Sequence, residues 1–397
     1  MRTAGYRYFV VRYVLAVGAV EFFAFKMLDP FYLQFLTTER GIGLTPGQFA
    51  TFVALGGWVT MALDYLTGAV ADRAGRRATW AAALFVYAGA MFWLSRAMTF
   101  RQALTVPILQ GISWALSSGS REAWLYDHAG QDGTRRAMAA LYLYSVPLTL
   151  AGAGMATWLG TRANIRAPIA LTGAIILGVG LLVLTFPENY GSRARRWREV
   201  LASGLGQFRS SRVLQLLALQ SFFMTLPIWI NSAWWLTFVV EEWHVNPARV
   251  ALSFGITATA AAGAGLILSR MKVTRYRALL VYPTAAAAAA YLLMALATVP
   301  AVFVCLVVVA VASSYFRSTG IALLRNEHIR EERATALSFL STLEGAFWVV
   351  GPLLWGVLIG RAGMRVSFVV ASICCVASMG LLLLAMRAHA SMGRLDE

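Results

Sequence analysis

Apolar runs separated by short charged or Gly/Pro-rich breaks fall at about 8–36, 47–70, 78–98, 103–126, 137–160, 167–186, 213–240, 248–269, 278–297, 299–323, 336–360 and 364–386. A helix needs roughly 20 apolar residues to cross the hydrocarbon core, and each run supplies about that many. The runs carry no period-2 alternation, which disfavours a membrane β-barrel. The pattern predicts an all-α membrane protein of twelve transmembrane helices joined by short loops.

Composition strengthens this reading, since 59% of the 397 residues are hydrophobic and only 13% are charged. A soluble chain carries roughly 25% charged residues and cannot enclose so much apolar surface. The charge balance is 34 Lys+Arg against 18 Asp+Glu, net +16. In a soluble domain such a balance suggests nucleic acid. With the N-terminus placed in the cytoplasm, however, 22 of the basic residues fall in inner segments, 8 in outer segments and 4 within spans. Loops rich in Arg and Lys stay on the cytoplasmic side during insertion, so the excess is mainly a topology signal. It predicts a multi-pass protein of the inner (plasma) membrane, both termini cytoplasmic, with no nucleic-acid partner. Arg2 and Arg7 precede the first apolar run and no small-residue cleavage signal follows, which reads as an uncleaved first helix. Cys305, Cys374 and Cys375 all lie in apolar runs and suggest neither disulfide nor metal.

The longest hydrophilic break divides the chain near its middle. It predicts a six-helix bundle over 1–186, a cytoplasmic linker over 187–212 and a second six-helix bundle over 213–397. Within the linker Trp197, Val200, Leu201 and Leu205 recur at helical spacing opposite arginines, as in a short helix lying on an anionic leaflet; a plain solvated linker is the other reading. The halves also repeat. Gly68 and Arg73 match Gly265 and Arg270 at an offset of 197, and Pro30 matches Pro227. Ser117-Ser118-x2-Arg121 matches Ser313-Ser314-x2-Arg317 at 196; Arg136-Ala137 matches Arg333-Ala334, and Gly154-x3-Trp158 matches Gly351-x3-Trp355, both at 197. Matches in this order point to two pseudo-symmetric halves.

Between the second and third runs stands Asp64-x3-Gly68-Ala-Val-Ala-Asp72-Arg73-Ala-Gly75-Arg76-Arg77. This segment resembles the signature loop of the major facilitator superfamily, and the topology and repeat extend the resemblance over the whole chain. Gly68 permits close helix approach, Asp72 suits a helix N-terminus and Gly75 suits a turn. The resemblance implies alternating access between two bundles. It also implies a conformational latch in this loop whose partner is the start of the eleventh helix, near Arg333 to Thr335. The repeat counterpart, Gly265-x3-Ser269-Arg270-Met-Lys272, lacks the Asp and the second Gly. The stretch Glu122-Ala-Trp-Leu-Tyr-Asp127 looks like a bacterial efflux branch. Two departures count against an antiporter: Pro107-x2-Gln110-Gly111 lacks the Arg usual in proton-coupled members, and the fifth run from Leu150 to Gly160 has no proline.

Ionisable groups at membrane depth cost at least about 2.5–3.5 kcal/mol on insertion scales, so each needs a partner or a water-filled cavity. Glu21, Glu344 and Glu122 are candidates for carrying a proton, each against the alternative of a static ion pair. In the family resembled, the first, fourth, seventh and tenth helices line the cavity. This makes Lys26, Gln110, Trp114, Arg121, Phe222, Trp229, Asn231, Trp234 and Arg317 candidates for contacting substrate, although ordinary helix packing and interfacial aromatic belts use the same residue types. Asp64 is expected to pair with the loop arginines, and Arg12 to snorkel. The four histidines fall in loops or the tail, and no Walker-type loop is present. The expectation is a monomeric transporter, not an enzyme, with no cofactor or metal. It would move a small molecule by means of protons or another coupling ion. Proton-coupled export of an amphiphilic compound, uptake or exchange of an organic anion, and a transport-silent receptor are the competing functions.

Overall fold

A computed structural model describes residues 2–37, 41–44, 46–162, 165–191, 196–230, 235–243, 251–271, 276–330 and 332–392. Among them the secondary structure is helical, with no strand. In chain order the helices are α1 (Arg2–Val17), a π-helical segment (Gly18–Ala24), α2 (Phe25–Thr37), α3 (Pro46–Ala74), α4 (Arg76–Arg96), α5 (Phe100–Ala103) and α6 (Thr105–Arg162). They continue as α7 (Arg166–Leu184), α8 (Trp197–Ser210), α9 (Arg212–Trp229), α10 (Trp235–Trp243) and α11 (Ala251–Arg270). The last four are α12 (Tyr276–Leu296), α13 (Pro300–Glu327), α14 (Arg333–Ala362) and α15 (Met364–Met392).

Eight of these stretches are long and apolar enough to cross a membrane. The pair Arg198–Ser210 and Arg212–Trp229 passes the same test only when counted together, and Ser211 caps α9 through Leu214 N–H. One of the eight, α6, exceeds a single crossing: 58 residues at 1.5 Å each would span about 87 Å. Its helical backbone breaks at Gly130, with φ 65° and ψ −170°. The two apolar runs at 103–126 and 137–160 are therefore separate crossings on either side of this kink.

The chain forms two compact units. Unit 1 comprises Met1–Ala137, Pro147–Gln207 and Ile329–Gly345; unit 2 comprises Met138–Val146, Phe208–His328 and Ala346–Glu397. In unit 1 the main helix pairing is α4 with α7, and the π-helical segment and α2 also pack on α7. Phe186, Trp80 and Trp124 form an aromatic cluster at one end, with ring centroids 5.3 to 5.9 Å apart. Lipid tails are as apolar as leucine, so contacts of this kind, rather than escape from water, hold the helices together. In unit 2, α12 packs on both α13 and α15, and α15 on α9. The alanine run of α12 buries Ala287, Ala288 and Ala290, letting the backbones approach until Ser372 Oγ donates to Ala288 O at 2.7 Å.

The linker helix α8 packs against protein. Val200 is fully buried, Tyr65 Oη donates to Leu201 O, and a Cβ on Gly204 would meet Thr335 Cγ2 at 2.8 Å.

Gly130 occupies a backbone region that costs other residues about 1–3 kcal/mol. Gly130→Val should therefore lower the thermal unfolding midpoint of the detergent-purified protein. An unchanged midpoint would mean that the kink in α6 does not need glycine.

Candidate functional site

Asp72, near the end of α3, is fully buried and lies at the first turn of α14. It accepts from Thr335 N at 2.8 Å, Thr335 Oγ1 at 2.8 Å and Ala334 N at 3.3 Å. The first turn of any helix carries unpaired N–H groups and a partial positive charge, which a carboxylate satisfies. Arg76 completes the group, donating to Asp72 Oδ1 through Nη2 at 2.8 Å and Nε at 3.2 Å. Asp127 pairs with Arg76 on one side and accepts from Arg333 Nε at 3.0 Å on the other. The loop after α3 is fixed by Glu188, which accepts from the Arg77 and Ala78 N–H groups at 2.8 and 3.1 Å, capping α4, while Gly75 turns the chain with φ 117°. Arg77 also meets Glu188, Nε to Oε2 at 3.3 Å. Arg73 precedes the turn in the last turn of α3.

Two glycines let α14 approach this closely. A Cβ on Gly68 would meet Ser338 Cβ at 2.7 Å and Ala334 O at 2.8 Å; one on Gly119, in α6, would strike Ala334 O and Ser338 Oγ. Asp64, also fully buried, differs from its expected pairing with the loop arginines. It lies two turns, about 12 Å, before Asp72, and accepts from Ser118 Oγ, which is 3.2 Å from Ser338 Oγ. Glu344 is half-buried on α14, within electrostatic range of Asp64.

A second constellation surrounds Glu21. In the π-helical segment the Phe25 N–H bonds Val20 O, five residues back. The extra residue in such a turn re-aims the side chains that follow, and π-turns are frequent at functional sites. Glu21 here forms an ion pair with Arg121 of α6, both about 30% exposed. Through Arg121 the pair adjoins an open cavity that is lined mainly by apolar and aromatic side chains. Phe25, Tyr87 and Trp114 form its aromatic wall, with centroids 5.2 Å (Phe25–Tyr87), 5.7 Å (Phe25–Trp114) and 6.1 Å (Tyr87–Trp114) apart. Gln110 braces that wall, donating to Tyr87 Oη at 3.2 Å and accepting from Tyr32 Oη at 3.1 Å. The hydroxyls of Ser113 and Ser117 donate to the Ala83 and Trp114 carbonyls.

The sequence candidates thus separate. Glu21, Arg121, Trp114 and Gln110 come together in unit 1. Glu122 is half-buried beside Arg121 and within electrostatic range of it. Lys26 is half-buried on α2 and is not among the cavity-lining residues. Phe222, Trp229 and Arg317 belong to unit 2: Phe222 meets Phe347 edge to face at 5.1 Å, Trp229 ends α9, and Arg317 is buried on α13. Asn231 and Trp234 lie outside the described residues. Sequence reasoning missed the contribution of α4, which brings Trp80, Leu84 and Tyr87 to the cavity. Their spacing of four and three residues on one face was the available signal. Among the described residues no group of three or more His, Cys, Asp or Glu is placed to hold a metal.

Residues 217–395 match the family model of the Major Facilitator Superfamily. No curated protein matches the chain in sequence. Among solved structures, the chain is similar to the human organic anion transporter MFSD10 (TETRAN), with a TM-score of 0.75 at 16% identity, over 95% of this chain and 99% of that one. It is also similar to the E. coli fucose:proton symporter FucP, with a TM-score of 0.76 at 13% identity, over 96% and 99%. The proton:xylose symporter XylE, bound to 6-bromo-6-deoxy-D-glucose, gives 0.68 at 14%, over 96% and 95%. The chain has the major facilitator fold.

The glycine contacts make a direct prediction. Gly68→Val and Gly119→Val each drive a side chain into α14, and overpacking of this kind costs about 1–3 kcal/mol. Both should lower the thermal midpoint, whereas Gly57→Val, where a Cβ meets nothing within 4 Å, should not. Equal midpoints for all three would show that α14 does not rely on these contacts.

Proposed function

We propose that this chain is a secondary transporter of the major facilitator superfamily, working in the inner membrane with both termini cytoplasmic. In this reading it exports a small amphiphilic organic compound in exchange for protons. The observation that carries the proposal is the Glu21–Arg121 ion pair beside an aromatic-walled cavity. Glu21 is the proton carrier: when it takes up a proton its bond to Arg121 weakens, and when it loses the proton the pair reforms. A cationic amphiphile competes with both Arg121 and the proton for the same carboxylate. Proton and substrate then exclude one another, which is the requirement for exchange. The aromatic faces of Phe25, Tyr87 and Trp114 suit an organic cation or ring, because a π-face attracts positive charge and stacks on apolar groups.

The cavity is poorly equipped for a polyol. The hydroxyls of Ser113 and Ser117 already donate to backbone carbonyls, so they remain only as acceptors for the many hydroxyls of a sugar. The Asp72 cluster supports a moving protein, since a carboxylate set on a helix N-terminus is a contact that can be made and released as a unit.

The same ion pair offers one alternative, uptake or exchange of an organic anion. Protonation of Glu21 would free Arg121 to bind a carboxylate, so that proton and anion travel together. The two readings have opposite coupling signs. In proteoliposomes with an acidic interior, an exchanger accumulates a lipophilic quaternary ammonium compound, and Glu21→Gln should abolish the response to the gradient. Trp114→Ala should raise KM by roughly tenfold, equivalent to about 1.4 kcal/mol, with a smaller effect on kcat. If the gradient and its reversal leave the flux of every tested cation unchanged while an anion is moved, the proposal of cation export fails.

A further inference from the structure

The apolar core of unit 2 is divided into two clusters, and the residues between them follow a pattern. One cluster takes Met224 from α9, Ala287 and Ala288 from α12, Val307 and Val311 from α13, and Phe368, Ala371 and Cys375 from α15. The other takes Val213 and Leu217 from α9, Leu279 and Leu280 from α12, Ile321 and Leu324 from α13, and Leu382 and Ala385 from α15. Every one of these four helices passes from one cluster to the other across a buried polar residue: Gln220, Thr284, Arg317 and Ser378 respectively.

The register of α9 against α15 can be read from the same clusters. Val213, Leu217, Gln220 and Met224 lie on one face of α9, at spacings of four, three and four residues. Ala371, Cys375, Ser378, Leu382 and Ala385 lie on one face of α15, at spacings of four, three, four and three. Early α9 shares a cluster with late α15 and late α9 with early α15, so the two packed helices run antiparallel. Gln220 and Ser378 then fall at the same level of the interface.

Both side chains are fully buried, and three polar atoms at this level, Gln220 Oε1, Gln220 Nε2 and Ser378 Oγ, make no hydrogen bond within the protein. Thr284, by contrast, is satisfied on its own helix by Leu280 O at 2.6 Å. Buried polar groups in folded proteins are almost always paired, with protein or with ordered water. A water molecule requires two to four polar partners, and an amide with an adjacent hydroxyl provides both acceptors and donors.

We propose that this level of unit 2 is a buried hydration site, in which ordered water bridges the Gln220 amide on α9 and the Ser378 hydroxyl on α15. The water joins two helices that share the two apolar clusters on either side of it. It also hydrates the layer that holds Arg317, whose charge lies within electrostatic range of the Cys375 thiol. Cys375 sits one turn from Ser378 and is itself fully buried, which makes it the natural reporter.

Brief X-ray radiolysis of the full-length protein, in water labelled with heavy oxygen, tests this by mass spectrometry. Hydroxyl radicals formed at a bound water mark the side chains beside it. Cys375 should take up the label despite its burial, whereas Met294, equally buried in the apolar cluster, should not. The Gln220→Leu, Ser378→Ala double variant should cut labelling of Cys375 by about fivefold or more, since an apolar cavity stays dry. If Cys375 of the unmodified protein labels no faster than Met294, the two side chains bond each other directly and the proposal is wrong. That comparison stands even if the double variant does not fold. Labelling of a folded double variant at the unmodified rate would equally overturn it.

Discussion

The bonding of Asp72 to the first turn of α14 is the contact on which unit 1 depends. The residues from Ile329 to Gly345 are far along the chain from the rest of that unit, and a chain segment brought in from such a distance must offset its loss of conformational freedom. Three hydrogen bonds to one carboxylate, two of them from the α14 backbone, do so at a helix end where the unpaired N–H groups are otherwise costly to bury. Arg76 pairs with the carboxylate, and Asp127 in turn balances Arg76 and Arg333. Gly68 and Gly119 then act sterically, since the carboxylate can reach the helix only because no side chain separates α3 and α6 from Ala334.

The same economy governs the rest of the buried charge. Within lipid a lone ion is expensive, and the protein meets the cost in two ways. At the Asp72 cluster Asp72 and Arg76 are buried and the charges are multiply bonded. Glu21 and Arg121 are each about a third exposed, beside open space. The first arrangement holds or releases as a unit, and the second leaves the carboxylate accessible to a proton or to a competing cation.

Much of the fold was legible in the sequence because a span must be both long and apolar, and such a pattern has few alternatives. The ends of α4, α7, α12 and α15 fall within a few residues of the apolar runs, the main exception being the C-terminal extension of α15 to Met392. The continuity of α6 through the charged break near Asp132 was not legible, since the local kink depends on the backbone angles of Gly130. In the site, Glu21 and Arg121 were visible as charges out of place, but their pairing joins residues a hundred positions apart. Tyr87 was missed because an aromatic in an apolar run looks like packing whichever way it faces. Gln220 and Ser378 were missed for a related reason: each is a lone polar residue in a hydrophobic helix, and only the alignment of α9 with α15 gives them a common level.

The Glu21–Arg121 pair also limits which mechanisms are self-consistent. In the proposed exchange a proton and a cationic substrate are alternatives at Glu21 because protonation removes the negative charge that the cation would need. An anionic substrate has the opposite dependence, because it needs Arg121 released and therefore a proton on Glu21. In both proposed modes the sign of coupling would be set at the pair itself, and the aromatic wall would govern which molecules reside beside it. A stronger pair would weaken both modes: the more firmly Glu21 and Arg121 hold each other, the less either responds to a proton or a ligand. The partly exposed contact between them is the form of ion pair that would leave such a proposed switch operable.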